Sequence, residues 1–217
     1  MKAYFVKTPK IIQKIFSKYQ WKVSTKKKEI YLTFDDGPIP EITPWVLEQL
    51  NKYQAKATFF CVGDNIGKYP EVFSSVLQEN HRVGNHTFHH LNGWKTKTNS
   101  YIENVEKCEY IIKEQQKHST EISNLLFRPP RGRMRVSQTK NLLQKGYKIT
   151  LWDVLSGDFD QALSKESCLD HVLKNTQEGS IVVFHDSEKA FKNLEYVLPR
   201  TLEHFSKKGF VFKALKN

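Results

Sequence analysis

Two short stretches of this chain carry residues that could do chemistry together. In Thr33-Phe34-Asp35-Asp36-Gly37-Pro38, adjacent carboxylates close an apolar run, and in His86-Thr87-Phe88-His89-His90 two histidines stand four residues apart. One carboxylate and two imidazoles at i, i+4 spacing can hold a single divalent cation with coordination positions left open, provided the segment turns helically. Such a donor set suits Zn²⁺, and Fe²⁺ or Co²⁺ also fit it. The remaining carboxylate can then take a proton from an attacking water. Asp-Asp-Gly-Pro alone reads as a polar turn, and His-x-x-x-His alone as a surface pair. Their weight comes from occurring together.

These residues need elements to position them. Apolar runs at 29–34, 57–62, 82–85, 125–128, 147–152, 180–184 and 210–213 have the Val/Ile/Phe content of strands covered on both faces. Helical patterns lie between them at 45–53, 71–79, 101–115, 137–145, 167–176 and 194–207, with Pro44 in a first turn and Gly146 at a helix end. The alternation predicts an α/β barrel or a doubly wound sheet in one domain. Asp35 and Asp36 follow the first strand, His86 and His90 the third, and Arg128 ends the fourth. Asp153 and Asp158 follow the fifth, and His185 and Asp186 the sixth. Sites of parallel α/β folds form at these carboxyl ends. His185 is therefore a candidate acid for a leaving amine, with Asp158 holding its other ring nitrogen. Arg128 is a candidate partner for the base. A structural salt bridge at Arg128 and a solvated His185-Asp186 pair are the plainer alternatives. Trp94 suits either stacking on a sugar ring or packing within its own loop.

Composition narrows the class. The chain has 217 residues, 39% of them apolar and 12% aromatic, with a net charge of +11. Cys61, Cys108 and Cys168 form no CxxC pair, so neither a disulfide framework nor a zinc ribbon is expected. No apolar run approaches the ~20 residues of a membrane span, and no signal-peptide h-region is seen, so the expected compartment is cytoplasmic. No nucleic-acid recognition motif is present, and no such partner is expected. Residues 1–28 carry nine lysines and no acid. Ile11, Ile12, Ile15, Phe16 and Tyr19 repeat there at helical spacing. The favoured reading of this basic amphipathic segment is a helix capping one end of the barrel. Contact with an anionic membrane surface is the alternative.

From about Glu29 to the end, the chain resembles the polysaccharide deacetylases, the NodB-homology domain of carbohydrate esterase family 4. The matching motifs are Thr33 to Pro38, Asn85-His86-Thr87 with His90, Arg128-Pro129-Pro130, Asp153 to Asp158-Phe159, and Val183-Phe184-His185-Asp186. The resemblance implies a distorted (β/α)7 barrel over residues 29–217, following the N-terminal segment 1–28. It also implies metal-dependent removal of acetyl from an N-acetylated sugar or polysaccharide. Asp36, His86 and His90 would bind the metal, and Asp35 would be the base, positioned by Arg128. His185, oriented by Asp158, would be the acid, and the backbone N–H near Arg131 would stabilise an oxyanion. The chain departs from the family pattern at Arg131 (often Tyr), Phe159 (commonly Trp) and Val183 (usually Leu). The alternatives are a non-catalytic carbohydrate-binding barrel and a metal-dependent hydrolase of another amide or ester. Oligomeric state is not readable from the sequence.

Overall fold

Strands made largely of apolar side chains are stable where both sheet faces are covered, the arrangement that crossover helices provide. A computed structural model, describing residues 4–116 and 126–216, has this architecture. Its strands are β1 (Glu29–Asp35), β2 (Thr58–Cys61), β3 (Arg82–Asn85), β4 (Leu126–Phe127), β5 (Lys148–Ile149), β6 (Val154–Leu155), β7 (Ile181–His185) and β8 (Val211–Phe212). The helices are α1 (Lys10–Ile15), α2 (Ile42–Asn51), α3 (Gly63–Lys68), α4 (Pro70–Gln78), α5 (Thr98–Gln115), α6 (Val136–Gln144), α7 (Lys165–Asn175) and α8 (Glu188–Lys207). The lateral order is β5-β4-β3-β2-β1-β7-β6, with β8 against the start of β1. All these pairings are parallel, so the carboxyl ends lie together as a distorted (β/α)7 barrel requires. β1 runs through the centre. Phe34 stacks between Phe59 at 5.0 Å and Phe184 at 5.9 Å, and all three rings are buried. Each such ring contributes about 1.5–3 kcal/mol by leaving water.

The expected fifth strand is divided. β5 stops at Ile149 and a separate β6 begins at Val154. The cause lies at the intervening carbonyls. Those of Thr150 and Leu151 accept from Arg128 Nε (3.2 Å) and Nη2 (3.0 Å), so this stretch turns towards a buried guanidinium. The last long helix begins at Glu188, earlier than expected, because Ala190 and Asn193 continue its buried stripe. Leu125, at the start of the expected fourth strand, lies outside the described residues.

The segment before β1 closes the barrel. β5 and β6 form the two edges of the sheet, and residues of this segment pair with both. Leu155 N–H donates to Val6 O, and Thr8 N–H to Asp153 O. Gln20 N–H donates to Ile149 O, and Leu151 N–H to Gln20 O. Val23 N–H reaches Gly179 O at 2.9 Å. Gly179 has φ +77°, and a Cβ there would stand 2.0 Å from Val23 O, so both the conformation and the close approach call for glycine. α1 does not cap the barrel as expected: none of its residues is buried. Of the stripe, Tyr19 packs against the cluster around Phe127 and Ile149, while Ile11, Ile15 and Phe16 stay exposed. No helix among the described residues is long and apolar enough to cross a membrane.

Candidate active site

The two aspartates are sent to different places by a bend between them. Asp35 is the last residue of β1, and Asp36 takes φ +88°. Asp35 is buried and receives Arg128 Nη1 on Oδ1 at 2.6 Å. Arg128 is itself fully buried, with its guanidinium 4.1 Å from the Phe60 ring centroid. Nη1 also donates to Thr33 Oγ1 at 2.8 Å. With the Thr150 and Leu151 carbonyls, these bonds fix the guanidinium plane. A charge so deeply placed is tolerated because it is paired and hydrogen-bonded on each nitrogen.

Asp36 faces the histidines. His90 Nε2 lies 3.3 Å and His86 Nε2 3.8 Å from Asp36 Oδ1. Candidate donor atoms of the three residues all lie within 4.8 Å of one another. His86 Nδ1 meets the Arg128 carbonyl at 2.7 Å, a contact only an N–H can make, so Nε2 is left with its lone pair. Burial, helped by His90, lowers the His86 pKa to about 3, which keeps the ring neutral as a metal ligand must be. Asp36 Oδ1 is buried and accepts no hydrogen bond. An orphaned carboxylate oxygen aimed at two imidazole nitrogens is a set of donors that fits a cation. The i, i+4 pair does not converge through a helical turn as expected. It does so through an irregular loop with φ +64° at Thr87 and +51° at His90.

Opposite these residues stands His185, whose backbone is in register with Asp35 across the β1–β7 pair. Asp158 accepts from it twice: the His185 N–H at 2.8 Å on Oδ2, and Nδ1 at 2.8 Å on Oδ1. Burial opposes a charge on this ring, but Asp158, with help from Asp36 and Asp35, outweighs it and raises the pKa to about 9. His185 is thus protonated at neutral pH, and its acid form is lost as pH rises through about 9. In Asp158→Asn only burial and weaker charges remain. The alkaline limb of the kcat profile is then expected to fall from about 9 towards or below the ordinary 6.5, with kcat near pH 8 reduced ~10²-fold. An unmoved limb would show that another group supplies the proton.

Comparison with known proteins agrees with this geometry. The polysaccharide deacetylase family model matches residues 22–150, more than half of the chain. The chain belongs to the polysaccharide deacetylase family. It is 34% identical over 197 residues to a peptidoglycan-N-acetylglucosamine deacetylase of Bacillus cereus, covering 88% of each chain. It is 32% identical to the peptidoglycan-N-acetylmuramic acid deacetylase PdaA of Bacillus subtilis, covering 88% of this chain and 72% of that one. Among solved structures, that of the Bc1960 peptidoglycan N-acetylglucosamine deacetylase superposes with a TM-score of 0.83 at 30% identity, over 91% of this chain and 90% of that one.

Around the motifs of this polysaccharide deacetylase, hydrogen bonds engage Asn65, Asn104 and Thr43, which sequence reasoning did not single out, together with Asp186, which it did. Asn65 Nδ2 donates to the Asp36 carbonyl at 2.8 Å, and Asn104 Oδ1 accepts from both Phe88 N and His89 N. Asp186 is buried and not solvated: it accepts from Gly37 N at 3.1 Å and Thr43 Oγ1 at 2.6 Å. Burial pushes its pKa up to about 8. Thr43 stands close after the motif that ends at Pro38 and Asp186 lies within a motif, whereas Asn65 and Asn104 lie far from every motif in the sequence. Asp153 stays out of the site. It binds Lys7 and Ser180, at the end of β7 away from His185.

Of the three departures from the family pattern, Arg131 sits at φ +60° in the turn after Pro130, Phe159 stands edge-on to His185 at 5.0 Å, and Val183 is buried within β7. Tyr4 supports Phe159 from behind at 5.4 Å. Trp94 is 58% exposed, with its indole N–H tied to Met134 O.

Proposed function

We propose that this chain hydrolyses the acetamide of an N-acetylated sugar polymer of the N-acetylglucosamine type, releasing acetate and a free amine. The observation that carries the reading is the division of labour between Asp35 and Asp36. One is locked to a buried guanidinium, and the other leaves a bare oxygen towards two imidazole Nε2 atoms. Asp36, His86 and His90 would hold a divalent cation, for which we assign Zn²⁺ on the strength of its N/O donors. When bound, such a cation polarises a carbonyl and acidifies a water.

The chain's own groups supply the rest. Asp35 accepts the proton of the attacking water as the new C–O bond forms, and Arg128 holds its carboxylate in place. The backbone N–H of Arg131 is the candidate donor to the developing oxyanion, a contribution typically worth ~3–4 kcal/mol. As the C–N bond breaks, His185 gives its Nε2 proton to the departing nitrogen, with Nδ1 held by Asp158. Phe159 and the exposed Trp94 offer apolar faces to sugar rings.

The test is acetate release from N-acetylglucosamine oligomers. Turnover is expected to fall at least ~10²-fold with chelator and to return on adding Zn²⁺. Oligomer binding without acetate release would support the non-catalytic barrel instead. Turnover unaffected by chelator would overturn the assignment of Asp36, His86 and His90.

A further inference from the structure

One part of the molecule takes no part in this chemistry. α1 and the residue after it present Ile11 and Ile15, one helical turn apart and 67% and 69% exposed, together with Phe16 at 46%. Lys10, Lys14 and Lys18 are exposed around them, and no carboxylate occurs anywhere in residues 1–28. Large apolar side chains gathered at one exposed point mark a contact surface. The tip is also held in place. The strands of chain on either side are hydrogen-bonded to β6 and β5, Phe16 stacks on Tyr19 at 5.8 Å, and Trp21 Nε1 donates to Phe16 O at 3.0 Å.

We propose that this tip docks the protein on the surface of an anionic lipid bilayer. Ile11, Ile15 and Phe16 enter the boundary between headgroups and acyl chains, while Lys10, Lys14 and Lys18 meet the anionic headgroups. Charge selects this occupant. A second copy of the chain would bring a like-charged tip against this one, whereas a phosphate-bearing membrane surface complements it. Three apolar side chains give reversible attachment, so binding follows the anionic lipid fraction and weakens with salt.

The experiment is co-sedimentation of the full chain with vesicles of phosphatidylglycerol and phosphatidylcholine, against pure phosphatidylcholine. Partitioning onto the anionic vesicles is expected to be at least ~10-fold stronger and to fall in high salt. The variant Ile11→Ser/Ile15→Ser/Phe16→Ser, and separately Lys10→Glu/Lys14→Glu/Lys18→Glu, should each lose ~10-fold or more of that binding. Both should release acetate from soluble oligomers like the wild type, which also reports that they fold. Equal, weak partitioning of the wild type onto both vesicles would overturn the proposal. So would serine and glutamate variants that bind as the wild type does. A wild-type dimer in sedimentation equilibrium that the serine variant lacks would assign the tip to self-association. The partitioning and sedimentation readouts do not require turnover, and thermal melting reports folding independently of it, so they stand apart from the test of the deacetylase reading.

Discussion

Asp35→Asn is expected to lower kcat for acetate release by ~10²–10⁴-fold while leaving bound metal at the wild-type level. The substitution keeps an oxygen for Arg128 Nη1, which now sits 2.6 Å from Oδ1, and replaces none of the three residues that face the proposed cation, of which His86 Nε2 lies 4.0 Å from Asp35 Oδ2. What it removes is the basicity needed to take a proton from water. The conservative replacement matters. Asp35→Ala would strand a fully buried guanidinium, and breaking such a pair costs about 3–5 kcal/mol, so lost activity could then reflect lost fold. Steady-state kinetics, metal analysis and thermal melting of the Asn variant together separate the cases. Full activity would mean that Asp35 is not the base.

His86→Ala should do the opposite, reducing metal affinity by well over the ~10–100-fold typical of losing a residue that merely orients a ligand. Two contacts go at once. The ring offers Nε2 towards Asp36 Oδ1, and its Nδ1–H satisfies the carbonyl of Arg128 at 2.7 Å. Because Arg128 also holds Asp35, the base is expected to loosen too, and excess Zn²⁺ should restore only part of kcat. Metal content after dialysis, measured beside titration calorimetry, gives the result. Stoichiometric metal in the dialysed variant would remove His86 from the ligand set.

Much of this arrangement is legible in the sequence, for physical reasons. A strand covered on both faces is largely apolar, so seven of the eight strands among the described residues show up as Val/Ile/Phe-rich runs. β6 does not, because Val154-Leu155 is too short to show a period and joins the preceding run. Asp35, Asp36, His86, His90, Arg128, Asp158 and His185 stand out because such groups rarely end apolar strands without a task, and the structure brings all seven to one end of the sheet. How they converge was not readable. Left-handed φ values at Asp36, Thr87 and His90 belong to residues other than glycine and are set by tertiary contacts such as those of Asn65 and Asn104. The amphipathic look of residues 10–19 suggested a buried stripe. Periodicity reports an apolar face but says nothing of whether the fold supplies a wall for it.

The stitching of the N-terminal segment also bears on when the site can come into being. Lys7 meets Asp153 across 146 residues, Gly37 meets Asp186 across 149, and Asp35 meets Arg128 across 93. Contacts this distant must close long loops before they return any energy, and chains dominated by them fold slowly. On a ribosome, the strand that ends in Asp35 emerges well before β7 and waits for it, unpaired on one side. Catalytic competence is thus a late product of folding, and the nascent protein spends that interval with an apolar central strand in need of protection.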